Sequence, residues 1–167
     1  MKVTVEQGDI TAQRVDAIVN AANNAMRGGG GVDGAIHRVG GPAVLADCIR
    51  RFPGGLATGD AGWTSAGDLP ARWVIHTVGP VHGHGSRDQL LSCYRRALEI
   101  ADELGAHSVA FPLISAGVYG WPKADAVAAA IEGIVSSGSA VDEARIVAHD
   151  GATYAMVGSA LDAAGLR

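Results

Sequence analysis

Between Asn20 and Asp33 the chain reads Asn-Ala-Ala-Asn-Asn-Ala-Met-Arg-Gly-Gly-Gly-Gly-Val-Asp, joining amides, four consecutive glycines and a carboxylate in one segment. Glycines 28–31 carry no side chains, so their N–H groups can approach an anion closely. They run straight into a helical pattern, and the free N–H groups and dipole of a helix start favour negative charge. Read alone, such a run is equally a flexible surface loop capped by Asp33. The short amides of Asn20 and Asn23, which end the preceding strand, tip the reading toward contact with a phosphate-bearing ligand. No Gly-Lys-Ser/Thr follows, so this is not a Walker loop, and within the segment Asn20–Asp33 the glycines do not complete a G-x-G-x-x-G fingerprint.

Two further segments have ligand-binding character. Ser115-Ala116-Gly117-Val118-Tyr119-Gly120 follows the apolar run Phe111-Pro112-Leu113-Ile114. Its glycines permit tight turns, and Tyr119 offers a flat ring and a hydroxyl. Gly8-Asp9-Ile10-Thr11 by itself reads as a turn carrying an acid. The six histidines show no ligand spacing, so no metal site is expected. Cys48 and Cys93 lie in helix-like sequence and read as reduced packing residues of a cytoplasmic protein. No Ser-His-Asp or Cys-His arrangement follows from spacing.

These segments need elements to hold them. Short apolar runs at Val3–Val5, Ala17–Val19, Trp73–Val78, Ser108–Phe111 and Arg145–Ala148 suit strands, with a weaker alternating one at 61–65. Between them lie helical patterns. Residues 33–52 form two helices broken at Gly40-Gly41-Pro42. Another runs through Leu90, Leu91, Tyr94, Leu98 and Ala101 and stops near Gly105. A third carries Val127, Ile131 and Ile134, with Pro122 near its first turn and Gly138 as its stop. The last spans about 153–164. Strands alternating with helices argue for an α/β architecture, in which ligands sit beyond the carboxyl ends of the strands.

The 167 residues, without linker or repeat, read as one domain spanning 1–167. Hydrophobic residues make up 48% and charged residues 18%, ordinary for a packed domain. A net charge of −4 without a basic stripe argues against a nucleic-acid partner, so a phosphate must be gripped by local geometry. No signal peptide or membrane-spanning run is visible, and a monomer free of membranes is expected.

Taken together, the motifs resemble the macrodomain family. The resemblance rests on Gly8 to Thr11, Val15 to Asn23, Gly28 to His37, Ile75 to Pro80, and Phe111 through Gly120-Trp121-Pro122, in that order. It covers nearly the whole chain, and Gly28 to His37 is similar to the catalytically active, MacroD-type branch. It implies a three-layer α/β/α sandwich with a mixed, largely parallel sheet. It also implies an ADP-ribose-binding hydrolase of O-acetyl-ADP-ribose and of mono-ADP-ribosylated Glu or Asp on proteins, needing no cofactor. By that resemblance Asp9 accepts a hydrogen bond from the adenine amino group, assisted by the Ile10 N–H. Ala22, Gly30, Gly31 and Val32 on one side, and Ser115, Ala116, Gly117 and Val118 on the other, clamp the diphosphate. Tyr119 packs against the distal ribose, while Asn23 and Asp33 face it as the catalytic pair. His149 stands where the family often has Phe or Tyr against adenine, and Tyr154 is the alternative. His37 and His76 fall in segments with structural roles.

Two mechanisms fit these residues. Asp33 is either the general base for a water, or an orienting group with Asn23 while substrate phosphate holds the water. A helix N-terminus would lower the basicity of Asp33, and burial would raise it. The rival from another class is a non-catalytic ADP-ribose reader; a dinucleotide-dependent oxidoreductase is disfavoured because the glycine motif does not follow the first strand with the required spacing.

Overall fold

The computed structural model describes residues 1–167. One mixed sheet contains β1 (Lys2–Gln7), β2 (Ala17–Ala22), β3 (Ala61–Ser65), β4 (Trp73–Val78), β5 (Ser108–Phe111) and β6 (Glu143–Ala148). Their order is β1-β6-β5-β2-β4-β3, and every pairing is parallel except β3 with β4. The helices are α1 (Gly31–Gly40), α2 (Pro42–Arg51), α3 (Arg87–Leu104), α4 (Lys123–Val135) and α5 (Gly151–Ala163).

Alternation along β2 shows how the layers form. Ala17 and Val19 join the largest apolar cluster, with Leu90, Tyr94 and Leu98 of α3, Ile134 of α4 and Leu161 of α5. Ile18 points the other way to meet Ile36 of α1, and Ala22 meets Cys48 of α2. Helices α1 and α2 therefore cover one face and α3 to α5 the other, giving three layers. Sheets covered on both faces have strands that are apolar nearly throughout, as β2, β4 and β5 are. Each fully buried Leu, Ile or Phe contributes about 1.5–3 kcal/mol.

Helix limits follow local chemistry. Gly41, at φ +81°, separates α1 from α2, and Pro42 opens α2 where no N–H is needed. Ser86 and Gln89 form a reciprocal capping box at the start of α3, and left-handed Gly105 ends it. The Asp150 carboxylate accepts from Thr153 N at 2.7 Å, so α5 begins two residues earlier than its apolar pattern suggests.

Two features depart from the sequence reading. β2 does not end at Asn20 but continues to Ala22, because it pairs residue for residue with β4, setting Asn20 opposite His76. The turn expected at Gly8–Thr11 takes the form of a 3-10 turn at Ile10–Ala12, slightly further along the chain, because Asp9 accepts from Thr11 N at 2.9 Å and from Thr11 Oγ1 at 2.7 Å. Since β1, β6, β5 and β2 are mutually parallel, the loops after them share one edge of the sheet.

Candidate functional site

At that edge lies a cleft of about 880 Å³, a volume suited to a small-molecule ligand. Asp9 and Ile10 border it after β1, and Ala22, Asn23 and Gly30 to Asp33 after β2. Ser115 to Tyr119 face it after β5, and His149 after β6. The sheet thus brings the candidate catalytic and substrate-binding residues to one cavity, whereas Asn20, read with Asn23 as a ligand-contacting amide, is fully buried outside its wall, with its amide spent on Asp33 and His76. Tyr154 is not in its wall and is 37% exposed on α5, so His149 is the aromatic side chain at that end.

Two walls of the cleft are rows of backbone N–H groups. Gly30 is the N-cap of α1, so the first-turn N–H groups of Gly31, Val32 and Asp33 have no intrahelical acceptor. Opposite, the N–H groups of Gly117, Val118 and Tyr119 donate to no protein acceptor. This second row is held by Ser115, which adopts φ +66° despite its side chain. Its hydroxyl donates to Pro80 O at 2.7 Å, and its carbonyl accepts from Trp121 N at 2.9 Å. A non-glycine residue in the left-handed region costs on the order of 1–3 kcal/mol, sustained here by those bonds. Paired rows of free donors suit a diphosphate, and they explain how an acidic chain can hold an anion.

At the end of the glycine wall, Asn23 and Asp33 flank Gly29. A Cβ on Gly29 would lie 3.2 Å from Asp33 Oδ2 and 3.3 Å from Asn23 Nδ2. Asn23 is braced by its own loop, accepting from Met26 N at 3.2 Å and donating to Gly28 O at 3.1 Å. Its second N–H remains free. Asp33 does not cap α1; Gly30 holds that position, and the carboxylate turns inward at the third residue of the helix. Oδ1 accepts from Asn20 Nδ2 at 2.8 Å and lies 3.3 Å from His37 Nε2. Oδ2 has no protein partner. Burial works to raise the pKa of Asp33, but the hydrogen bonds from His37 and Asn20 outweigh it and hold the carboxyl below its ordinary range. Asp33 is therefore an ionised, weakly basic acceptor.

Behind Asp33 runs a buried polar line that the sequence did not disclose. Asn20 Nδ2 also lies 3.0 Å from His76 Nδ1, and His76 Nε2 lies 2.8 Å from Thr64 Oγ1. Burial, followed by the charge of His37, lowers the His76 pKa to about 3, so its ring is neutral. The cysteines are free and buried, and burial first of all raises both thiols to about 11, which makes them poor nucleophiles. No group of three or more His, Cys, Asp or Glu side chains is arranged to hold a metal, and no helix is long and apolar enough to cross a membrane.

At the other end of the cleft, Asp9 Oδ1 is spent on Thr11 while Oδ2 is free to accept from a ligand. Side-chain and backbone hydrogen bonds from Thr11 hold the carboxyl below its ordinary range. Arg38 and Lys123, neither of which the motifs highlighted, also line the cleft.

A sheet whose parallel strand ends close a glycine-walled cleft with two rows of free N–H groups defines an α/β class suited to phosphate-bearing small molecules. The chain belongs to the macro domain family, whose model matches residues 19–130. It is 57% identical to a macro domain-containing protein of Streptomyces coelicolor, over 91% of this chain and 94% of that one. It is 46% identical to O-acetyl-ADP-ribose deacetylase 1 of Pantoea vagans, over 92% and 94% respectively. Among solved structures, the Oceanobacillus iheyensis macrodomain with ADP superposes with a TM-score of 0.92 at 37% identity, covering 96% of this chain and 90% of that one. The Trypanosoma brucei macrodomain in complex with ADP-ribose gives 0.89 at 39% identity, covering 95% and 68%.

Proposed function

We propose that this chain binds ADP-ribose and hydrolyses its acyl esters, releasing acetate from O-acetyl-ADP-ribose and ADP-ribose from modified Glu or Asp side chains of proteins. The observation that carries the reading is the pairing of a free donor on Asn23 with the free, ionised Oδ2 of Asp33 at the end of an anion-binding wall. Relatives named O-acetyl-ADP-ribose deacetylase, and neighbours holding ADP or ADP-ribose, support the same ligand here.

The two N–H rows take the diphosphate, Asp9 Oδ2 and the Ile10 N–H meet the adenine edge, and His149 lies against its face. This lays the distal ribose between Tyr119 and the Asn23–Asp33 pair. Asp33 Oδ2 accepts from a ribose hydroxyl or from the attacking water, and Asn23 donates. Water adds to the ester carbonyl, and the ribose oxygen leaves with a proton. Because the Asp33 pKa is lowered, orientation of ribose and water fits better than full proton abstraction. A few correctly placed contacts of this kind lower a barrier by fixing a near-attack geometry.

The test is release of acetate from O-acetyl-ADP-ribose, and of ADP-ribose from a protein modified on Glu or Asp. Asn23→Ala and Asp33→Ala should each lower kcat by at least about tenfold to a hundredfold while ADP-ribose affinity falls modestly. Asp33→Asn should retain substantial activity if orientation dominates and almost none if charge or basicity is essential. Tight ADP-ribose binding without turnover of either substrate would make the chain a reader module instead.

A further inference from the structure

We propose that His76 is a positioning residue for Asp33, acting through the amide of Asn20. The inference rests on the reading of Asp33 as part of the reacting pair.

The geometry fixes every donor along the line. Asn20 is fully buried in the centre of the sheet, and its Nδ2 lies 2.8 Å from Asp33 Oδ1 and 3.0 Å from His76 Nδ1. Turned over, the amide would aim its oxygen at a carboxylate oxygen and at a ring nitrogen, so the NH₂ must face both. His76 Nδ1 is then the bare, accepting nitrogen, and Nε2 carries the hydrogen. That hydrogen donates to Thr64 Oγ1 at 2.8 Å, and the Thr64 hydroxyl donates in turn to Ser65 O at 3.0 Å. One amide hydrogen goes to His76 and the other to Asp33.

The sheet supplies this alignment. Asn20 and His76 are register partners in β2 and β4, and Thr64 lies on neighbouring β3, all on the face covered by α1 and α2. Asn20 Oδ1 is buried without a partner. With its acceptor side unheld, the amide plane depends on the two bonds from Nδ2. An apolar residue at 76 would remove one of them, and the amide could then rotate away from Asp33. A buried polar group is rarely left without partners unless its orientation has a use.

The experiment compares His76→Leu with His76→Asn. Both lose the reach to Thr64, and both open space beside Cys48, so a purely structural role predicts similar damage from each. Only Asn keeps an acceptor where Nδ1 sits. His76→Leu is expected to lower kcat on O-acetyl-ADP-ribose about tenfold, the equivalent of one hydrogen bond, and His76→Asn by no more than about threefold. KM and ADP-ribose affinity should stay within about twofold of the parent for both. The acid limb of the kcat profile should move to higher pH in His76→Leu alone, since Asp33 then loses its bond from Asn20. The other groups facing the Asp33–His76 pair are His37 from α1, Asp47 and Cys48 from α2, and Arg27 from the glycine loop. These are unchanged in both variants.

Equal losses in the two variants, or parental kcat in a folded His76→Leu protein, would overturn the proposal. If Asp33→Ala is inactive in the same assay, the reading of the site survives that failure. Should His76→Leu not fold, Thr64→Val removes the acceptor for Nε2–H with nearly the same shape. It should lower kcat severalfold at constant KM, and an unchanged kcat there would equally refute the role.

Discussion

Asp9 and Asp33 both line the cleft, and each spends one carboxylate oxygen on the protein and leaves the other without a protein partner. At Asp9 the inner oxygen is held by Thr11, so removing the carboxylate also loosens the turn. Asp9→Ala should weaken ADP-ribose by about 1.5–3 kcal/mol, the usual contribution of a hydrogen bond to a charged group, as calorimetry would measure. Unchanged affinity in a folded variant would remove Asp9 from the adenine subsite. His76 gives a different kind of prediction. Its pKa falls from 6.5 to about 3 on folding, so the unfolded chain binds more protons than the folded one between those values. Its contribution to stability is complete above pH 6.5 and is lost as pH falls toward 3, with a slope of at most about 1.4 kcal/mol per pH unit. Between pH 6.5 and 5, above the range where carboxylates protonate, His76→Asn should lose stability on acidification more gently than the parent. Parallel denaturation curves over that range would contradict the buried neutral ring.

At the scale of elements, the site depends on how closely the glycine wall lies on α1. A Cβ on Gly34 would come within 2.6 Å of the Gly29 carbonyl oxygen. In a helix interior Ala is favoured over Gly by about 1 kcal/mol, so propensity alone makes Gly34→Ala stabilising. The clash is with backbone and cannot be relieved by a rotamer change. We expect it to win: Gly34→Ala should push Gly29 from between Asn23 and Asp33, lowering turnover and ADP-ribose affinity with no gain in Tm. A higher Tm with parental turnover would show that the loop yields freely. The facing loop is fixed differently, by the strained backbone of Ser115 and its bond to Pro80 O. Each wall has its own brace, which keeps the two rows of donors in register for a diphosphate.

Across the whole molecule the charge is −4, yet the proposed ligand is an anion. Of the thirteen Lys and Arg side chains, only those of Lys2, Arg14, Arg38 and Lys123 make no hydrogen bond, ion pair or aromatic contact. Arg38 and Lys123 are also the only two cations in the cleft wall. A pair of unspent positive charges there raises the local potential for an approaching dianion. Arg38→Gln with Lys123→Gln should slow ADP-ribose association about twofold to tenfold at low ionic strength and flatten its salt dependence, leaving kcat nearly unchanged. Stopped-flow association rates insensitive to the double substitution would assign capture to the backbone donors alone.

Sequence alone determined what depends on neighbours along the chain. The strand and helix patterns were legible because periods of two and 3.6 are local, and the helix stops because Gly41, Pro42 and Gly105 act on their own dihedrals. The cleft loops were legible because glycine-rich segments follow the strands, at the carboxyl ends where α/β sheets place ligands. Tertiary structure decided the rest. The pairing of Asn20 with His76 joins residues 56 apart, and only strand register could set them face to face. Whether dipole or burial governs Asp33 depended on the same placement, since its lowered pKa comes from Asn20 and His37 acting against desolvation. Asp33 was legible as a carboxylate near a helix start, but its inward turn was not, because Gly30 took the capping position and left that side chain to the interior. Local pattern names the parts, but the orientation and ionisation of a buried group follow from partners that arrive from distant segments.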